Sequence, residues 1–204
     1  MVWQYSQRTG QLRRKDGVWA RGYSGKGPGD TARLAIFFFL FVSGHAMSSP
    51  AAPDAATLLA EIRDIGPLQV IGRLNAQPNP NAWDGVMRRI RSGQADWLDV
   101  AAGLAQEADA GSASDLKISL AHALLKNPEG VLKLAGSQVF LSIDEICGAP
   151  FIEPTSRFLR HYLEQAKRAV GQVRDPQLKP RQAACLSRIN DAERQLRSTS
   201  KAGR

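Results

Sequence analysis

The sequence predicts an all-α fold for its larger, C-terminal part, either an irregular helical bundle or a stack of helical hairpins. Aromatic residues make up only 7% of the chain, and the part after Pro53 is rich in Ala and Leu, which favours helices over strands. Apolar residues recur there at helical spacing, in segments separated by Gly, Pro and Asn. A short β-hairpin-like segment and a hydrophobic segment precede this helical part. No strict repeat period is present, so a regular solenoid is the lesser alternative.

Capping and breaking signals place the first helices. Asp54 is the predicted N-cap of the first helix, and Gly66 and Pro67 separate it from the second. The stretch 75–81, with the sequence NAQPNPN, has the composition of a loop. Later helical segments are marked by apolar stripes within residues 83–90, 97–104, 116–124, 131–134, 158–173 and 185–196.

Further signals bound the later helices. Gly111–Ser112 separate two neighbouring helices, and Thr155 is the predicted N-cap of the long helix that follows it. The apolar stretch 139–143 has no strand to pair with, so it is predicted to be a connection. The helical domain is thus predicted to span residues 54–197, and residues 198–204 are predicted to be a disordered tail.

An uninterrupted apolar run of nine residues, LAIFFFLFV at 34–42, lies ahead of the helical domain. A membrane-spanning helix needs about 20 apolar residues, whereas the apolar region of a secretory signal has about 7–15 and is followed by small residues. Arg33 supplies the preceding positive charge, and the SGHA sequence at 43–46 supplies a cleavage site. Residues 31–46 are therefore predicted to be an export signal and 47–53 a flexible linker. The domain would be periplasmic, or anchored in the inner membrane if the hydrophobic segment were not cleaved.

The basic charge of the chain is concentrated ahead of the predicted cleavage site. The net charge is +8, but residues 1–46 hold seven basic and only two acidic side chains, which leaves +3 for the rest. In the helical part, charges of both signs alternate, as is typical of a solvated helix face. No nucleic-acid docking motif is present, so no nucleic-acid partner is predicted, and a membrane would be contacted only through an uncleaved hydrophobic segment.

Residues 1–30 are unlike a leader, since they are polar, rich in glycine and patterned like a hairpin, with turn signals at Thr9-Gly10 and Asp16-Gly17. The segment WQYSQRTGQLRRKDGVWARGYSGKGPG resembles the opening of the L,D-transpeptidase-like effectors that type VI secretion delivers against peptidoglycan. The likeness ends at Gly29 and is carried by Trp3, Tyr5, Gln7, Thr9, Gly10, Gln11, Leu12, Gly22, Tyr23, Ser24 and Gly25.

This resemblance implies a catalytic Cys with a nearby His in a β-rich domain. Cys147 and Cys185 both lack the Ser-x-Gly-Cys setting of such transpeptidases. The effector-like piece is therefore interpreted as a fragment. A gene-fusion scar, an over-long start and a retained targeting segment are the three alternatives for its origin.

The two cysteines of the chain are predicted to form a disulfide. Paired cysteines are typical of exported bacterial proteins. A bond between Cys147, expected in a loop, and Cys185, expected on the last helix, would close a loop of about 38 residues, worth about 3–4 kcal/mol. Two buried free thiols are the alternative if the protein stays in the cytosol.

The helical part offers no arrangement of residues that is typical of catalysis. His122 lies beside an apolar stripe and is interpreted as structural, and His161 is expected at the surface. No cluster has the spacing of metal ligands, and no serine-hydrolase elbow is present. No catalytic, cofactor-binding or metal-binding residue is predicted, and the protein is predicted not to be an enzyme.

Binding residues are expected on loops that a rigid scaffold holds. The candidate loops are 76–81 and 142–153, and within the second one Asp144 and Glu145 lie close to the predicted disulfide. These two carboxylates are the candidate partner-binding residues. An ordinary connecting loop is the alternative.

The resemblance and the export signal together suggest a periplasmic immunity protein. Such a protein binds a secreted effector that targets peptidoglycan and blocks it sterically, so its partner would be a protein. A non-catalytic periplasmic scaffold or adaptor is one alternative. A truncated, inactive effector of the L,D-transpeptidase-like family is the other.

Overall fold

The computed structural model describes residues 4–5, 12–13, 53–76, 82–136 and 141–202. The chain divides into two units, Met1–Met47 and Ser48–Arg204. In the first unit, strands β1 (Gln4–Tyr5) and β2 (Leu12–Arg13) pair antiparallel. The remainder of the predicted hairpin-like segment, the apolar run and the predicted cleavage site lie outside the described residues.

The second unit is all-helical in its described residues, which confirms that the larger, C-terminal part of the chain is all-α. A 3₁₀ turn at Pro176–Leu178 joins the last two helices. Within the described residues there are nine α-helices, α1 (Ala55–Ile65), α2 (Pro67–Ala76), α3 (Ala82–Ile90), α4 (Ala95–Leu104), α5 (Ala110–Leu124), α6 (Pro128–Leu134), α7 (Ile143–Cys147), α8 (Ser156–Gly171) and α9 (Lys179–Ala202).

The predicted caps at the start of α1 and of α8 are confirmed. An Asp54 carboxylate oxygen accepts a hydrogen bond from the backbone N–H of Thr57 at 2.7 Å, which satisfies one of the free donors of the first turn. Thr155 Oγ1 accepts in the same way from Phe158 N at 3.2 Å. Gly66, with a φ of 87°, ends α1 in a conformation that favours glycine, so that α2 can begin at the next residue.

The core lies where the helices pack against one another along the chain. α1 packs on α2 and α4, α5 packs on α3, α6 and α7, and α9 packs on α7 and α8. No described helix is long and apolar enough to cross a membrane. The largest side chains that are fully buried belong to Leu58, Leu74, Ile90, Leu104, Leu116, Leu120, Leu124, Leu132, Leu141, Ile146, Leu163 and Ile189.

Three helix boundaries differ from the sequence prediction. α5 includes Gly111–Ser112, because Asp109 caps it by accepting from Ser112 N at 2.7 Å. Asn75 and Ala76 belong to α2, while the rest of the loop predicted at 75–81 lies outside the described residues. α9 runs on to Ala202, whereas disorder was predicted from residue 198. The hydroxyls of Ser198 and Thr199 donate to carbonyls of the preceding turn, so they are satisfied within the helix.

Candidate binding surface

The two predicted partner-binding residues, Asp144 and Glu145, lie on the helix α7, so the prediction that they belong to a loop is wrong. Ser142 caps this helix, since its hydroxyl accepts from the backbone N–H of Glu145 and lies 3.2 Å from the carboxylate of the same residue. The Ser-x-x-Glu spacing is the signature of a capping box. This signal in the sequence could have predicted the helix.

Glu145 is committed to a contact within the domain. Its carboxylate lies 2.6 Å from Lys117 Nζ on α5, and its side chain is only 38% exposed. Burial alone would raise the pKa of Glu145, but the hydrogen bond and charge of Lys117, together with the hydrogen bonds of Ser142, lower it below its ordinary value. Glu145 therefore fastens α7 to α5, and a partner would have to compete with Lys117 for it.

Asp144 is the more accessible of the two carboxylates. Its side chain is 72% exposed, and Arg188 Nε of α9 lies 3.1 Å from Asp144 Oδ1. The contact is an ion pair without the alignment of a hydrogen bond, so Arg188 Nε has no hydrogen-bond partner among the described residues. Although Arg188 Nε is buried, the Asp144 carboxylate is largely exposed, so water screens the pair and the carboxylate can exchange its partner.

The predicted pairing of the two cysteines is confirmed at disulfide distance. The Sγ atoms of Cys147 and Cys185 are 2.02 Å apart and their Cα atoms 5.3 Å apart, and both residues are fully buried. Cys147 is the last residue of α7 and not part of a loop, while Cys185 lies within α9. The bond therefore joins the end of α7 to the last helix of the domain.

The segment that follows, residues 148–155, has an unusual backbone. Ala149 has a φ of 59° and Glu153 a φ of 46°, both in the left-handed region although neither residue is glycine. Such a conformation costs roughly 1–2 kcal/mol for a residue with a Cβ. Between them, Phe151 N donates to the carbonyl of Ala149 at 2.8 Å, which closes a tight turn. Strain of this kind persists only where neighbouring contacts hold the segment in place.

Phe151 supplies that anchor. Its ring centroid lies 4.6 Å from that of Tyr162 and 5.0 Å from that of Phe158, both in edge-on geometry, and 5.2 Å from the imidazole of His122. The hydroxyl of Tyr162 donates to the backbone carbonyl of Ala121 at 3.1 Å, and burial raises the pKa of Tyr162. The strained segment is therefore pinned to α5 and α8 by aromatic packing.

The two histidines of the helical domain occupy different settings. His122 is half-buried beneath Phe151, and burial, followed by the positive charges of Arg91 and Lys126, lowers the pKa of His122. His161 lies on the exposed face of α8, with Nε2 2.9 Å from the side-chain amide nitrogen of Gln165. Neither histidine has an acidic partner within ion-pairing distance among the described residues.

The pinned segment presents an apolar side chain to solvent. Ile152 is 77% exposed, and Phe158, whose ring packs on that of Phe151, is 41% exposed. Both Arg157 and Arg160 are exposed on the adjoining turns of α8. These four residues (Ile152, Arg157, Phe158 and Arg160) are called the 152/158 surface below. A shallow depression of about 570 Å³ extends from it along α8, lined by Thr155, Arg157, Phe158, Arg160, His161 and Glu164.

The candidate loop predicted at 142–153 includes Ile152, although only its acidic residues Asp144 and Glu145 were predicted to bind a partner. The signal available was the sequence Pro150-Phe151-Ile152-Glu153-Pro154, in which two apolar residues stand between prolines and belong to no helical stripe. Phe151 turns inward and Ile152 outward. A second exposed apolar pair, Ile65 and Leu68, lies at the junction of α1 and α2.

Among the described residues, no three His, Cys, Asp or Glu side chains come together as metal ligands. Comparison of the chain with protein-family models, with curated proteins and with solved structures finds no match. The function is therefore inferred from the sequence patterns and from the surface chemistry.

Proposed function

We propose that this chain is a periplasmic immunity protein, whose helical domain binds a secreted peptidoglycan-targeting effector and blocks it sterically. The observation that supports the binding role is the exposure of Ile152 on a strained segment that aromatic packing holds in place. A few well-packed side chains carry most of the free energy of a protein interface, and an apolar side chain held in place by the fold is suited to that role.

The identity of the partner rests on the sequence. Residues 1–29 resemble the opening of L,D-transpeptidase-like effectors, and the hydrophobic segment after them has the features of an export signal. A fragment of effector sequence joined to an exported domain suggests a locus in which such an effector and its antagonist are neighbours. The effector would act in the periplasm, so its antagonist would have to be exported as well.

The fold is compatible with this role. A disulfide between two buried cysteines is stable in an oxidising compartment. Steric blocking needs no catalytic residue, only a complementary interface of roughly 800 Å² on each partner. A rigid surface lowers the entropic cost of forming such an interface.

A protection assay tests the proposal. The full chain is produced in cells that also export the cell-wall toxin encoded nearest to its gene, and growth and co-purification of the two proteins are measured. We expect restored growth and a stable complex. The matched control is the same chain without residues 31–46, which should lose protection because it is no longer exported.

Two outcomes would contradict the proposal. Continued lysis despite soluble, oxidised protein in the periplasm would remove the immunity function and favour a scaffold or adaptor. Cleavage of peptidoglycan by the purified chain itself would instead identify it as a derivative of the effector.

A further inference from the structure

Two basic side chains on α8 have no carboxylate to pair with. Arg157 and Arg160 are exposed, and among the described residues no acidic group lies within ion-pairing distance of either. By contrast, Lys167 further along the same helix pairs with Glu193 of α9 at 3.1 Å. Arg168, in the last turn of α8, also lacks a carboxylate partner within the described part of the chain and donates to the backbone carbonyl of Glu164. Arg157 and Arg160 differ from it in lying in the first turns, on either side of the partly exposed Phe158.

We propose that the 152/158 surface is the effector-binding face and that it recognises a protein surface on which carboxylates surround an apolar contact. This inference rests on the proposed function and adds to it the location and the chemistry of the contact. Ile152 and the exposed part of Phe158 form the apolar centre, and Arg157 and Arg160 form a basic margin on one side.

The two parts of the surface make different contributions to binding. The apolar centre gains free energy when water is excluded from it, and contacts of this kind dominate the dissociation rate. Arginine pairs with carboxylates through two parallel hydrogen bonds, and exposed charges at an interface margin raise the association rate in a salt-dependent way. A partner without carboxylates near its apolar contact would leave both guanidinium groups unpaired.

The backbone holds this surface ready for binding. Gly148, at the end of α7, follows the disulfide-bonded Cys147, and Phe151 is fixed by Tyr162. Ile152 is adjacent to Phe151, so its position is set before any partner arrives. A loop that becomes ordered on binding loses conformational entropy, which reduces affinity. Here the segment is already ordered in the folded domain, so binding does not carry that entropic cost.

The small number of cations favours a protein partner over nucleic acid. Nucleic-acid binding draws on about 6–10 phosphate contacts, whereas this surface offers two arginines beside an exposed isoleucine. The region after residue 46 has a net charge of only +3, so it lacks a wider basic field. An apolar side chain on a rigid segment matches the anchors of protein interfaces.

The test compares two variants of the full chain with matched controls, in binding to the purified toxin encoded nearest to the gene. Ile152→Ala is compared with Leu68→Ala, since Leu68 is 54% exposed at the other apolar pair. Arg157→Glu/Arg160→Glu is compared with Arg88→Glu, an exposed arginine of α3. Circular dichroism verifies that every variant is folded, as expected for changes at exposed positions.

We expect Ile152→Ala to weaken binding by about tenfold at every salt concentration, because the loss of an apolar anchor is not screened. The double arginine variant should weaken binding by at least about tenfold at about 50 mM salt, and by much less at about 500 mM, where surface charges are screened. Leu68→Ala and Arg88→Glu should bind within about twofold of the wild type.

The outcomes separate this inference from the proposed function. If the wild type binds the toxin and both test variants bind it equally well, the assignment of binding to the 152/158 surface is wrong, while the proposed immunity function stands. A loss of toxin binding confined to Leu68→Ala would show that the interface lies at the junction of α1 and α2 instead. Failure of the wild type to bind the toxin at all would overturn both.

Discussion

The disulfide between Cys147 and Cys185 closes a loop of 38 residues, and its removal should have a large effect on stability. Closing a loop of this length reduces the entropy of the unfolded chain by an amount worth about 4 kcal/mol at room temperature. Both residues are fully buried, so replacement by serine would add the cost of two buried hydroxyls. Cys147→Ala/Cys185→Ala is the cleaner change, with an expected loss of about 4 kcal/mol in the free energy of unfolding.

Urea unfolding of the full chain measures this loss. The buried indoles of Trp83 and Trp97, at 4% and 2% exposure, report the transition by fluorescence. With an m-value of about 2 kcal/mol per molar urea, the midpoint should fall by roughly 2 M. The m-value itself should rise, because the unfolded chain without the cross-link is less compact and exposes more surface.

Reduced wild-type protein is the matched control, since it loses the cross-link but keeps both sulfur atoms. It should lose about as much stability as the double alanine variant. Hydrogen exchange should show the earliest opening at Ile143–Cys147, because this five-residue helix then depends on Ile146 and its ion pairs. A loss below about 1 kcal/mol in both forms would refute this reasoning.

Three further predictions concern the aromatic cluster and the strained segment. Because burial and then Arg91 and Lys126 lower the pKa of His122, stability should be lost as pH falls below about 6.5, where the unfolded chain takes up the proton; unfolding at two pH values tests this. Tyr162→Phe should cost about 1 kcal/mol by removing the hydrogen bond to α5, as measured by urea unfolding. Ala149→Gly should raise the free energy of unfolding by about 0.5 kcal/mol, since relief of left-handed strain outweighs the added chain entropy.

Each of these expectations has a result that would contradict it. The pH dependence should be reduced in His122→Gln, and an unchanged dependence would assign it to other groups. Equal stability of Tyr162→Phe and the wild type would mean that the buried hydroxyl contributes nothing net. A destabilised Ala149→Gly would show that contacts of the methyl group outweigh the strain of the backbone.

The features predicted correctly from the sequence depend on neighbours along the chain. Asp54 and Thr155 cap their helices through residues only three positions away, so the local sequence is enough to predict both caps. The cysteine pairing could also be predicted, because a chain with two cysteines has a single intramolecular pairing. Apolar stripes that extend over several helical turns, such as the one ending at Ile90, also depend only on residues that are close in sequence.

The features missed depend on contacts that are distant in sequence or on backbone angles. α7 is five residues long, too short to show a stripe, and Glu145 finds Lys117 28 positions earlier in the chain. The exposed Ile152 lies between two residues with positive φ, Ala149 and Glu153, and nothing in these residue types suggests that conformation. The exposed position of Ile152 therefore lies within a segment that the sequence singled out, but the sequence did not identify this side chain.

The central claim is that this chain blocks an effector by binding it, and inhibition in vitro is its most direct test. Purified full-length chain is titrated into a peptidoglycan-cleavage assay with the toxin encoded nearest to its gene. Steric blocking by a tight one-to-one complex predicts that cleavage falls to background near one equivalent of chain. Unchanged cleavage at a large excess of folded, oxidised chain would contradict the claim.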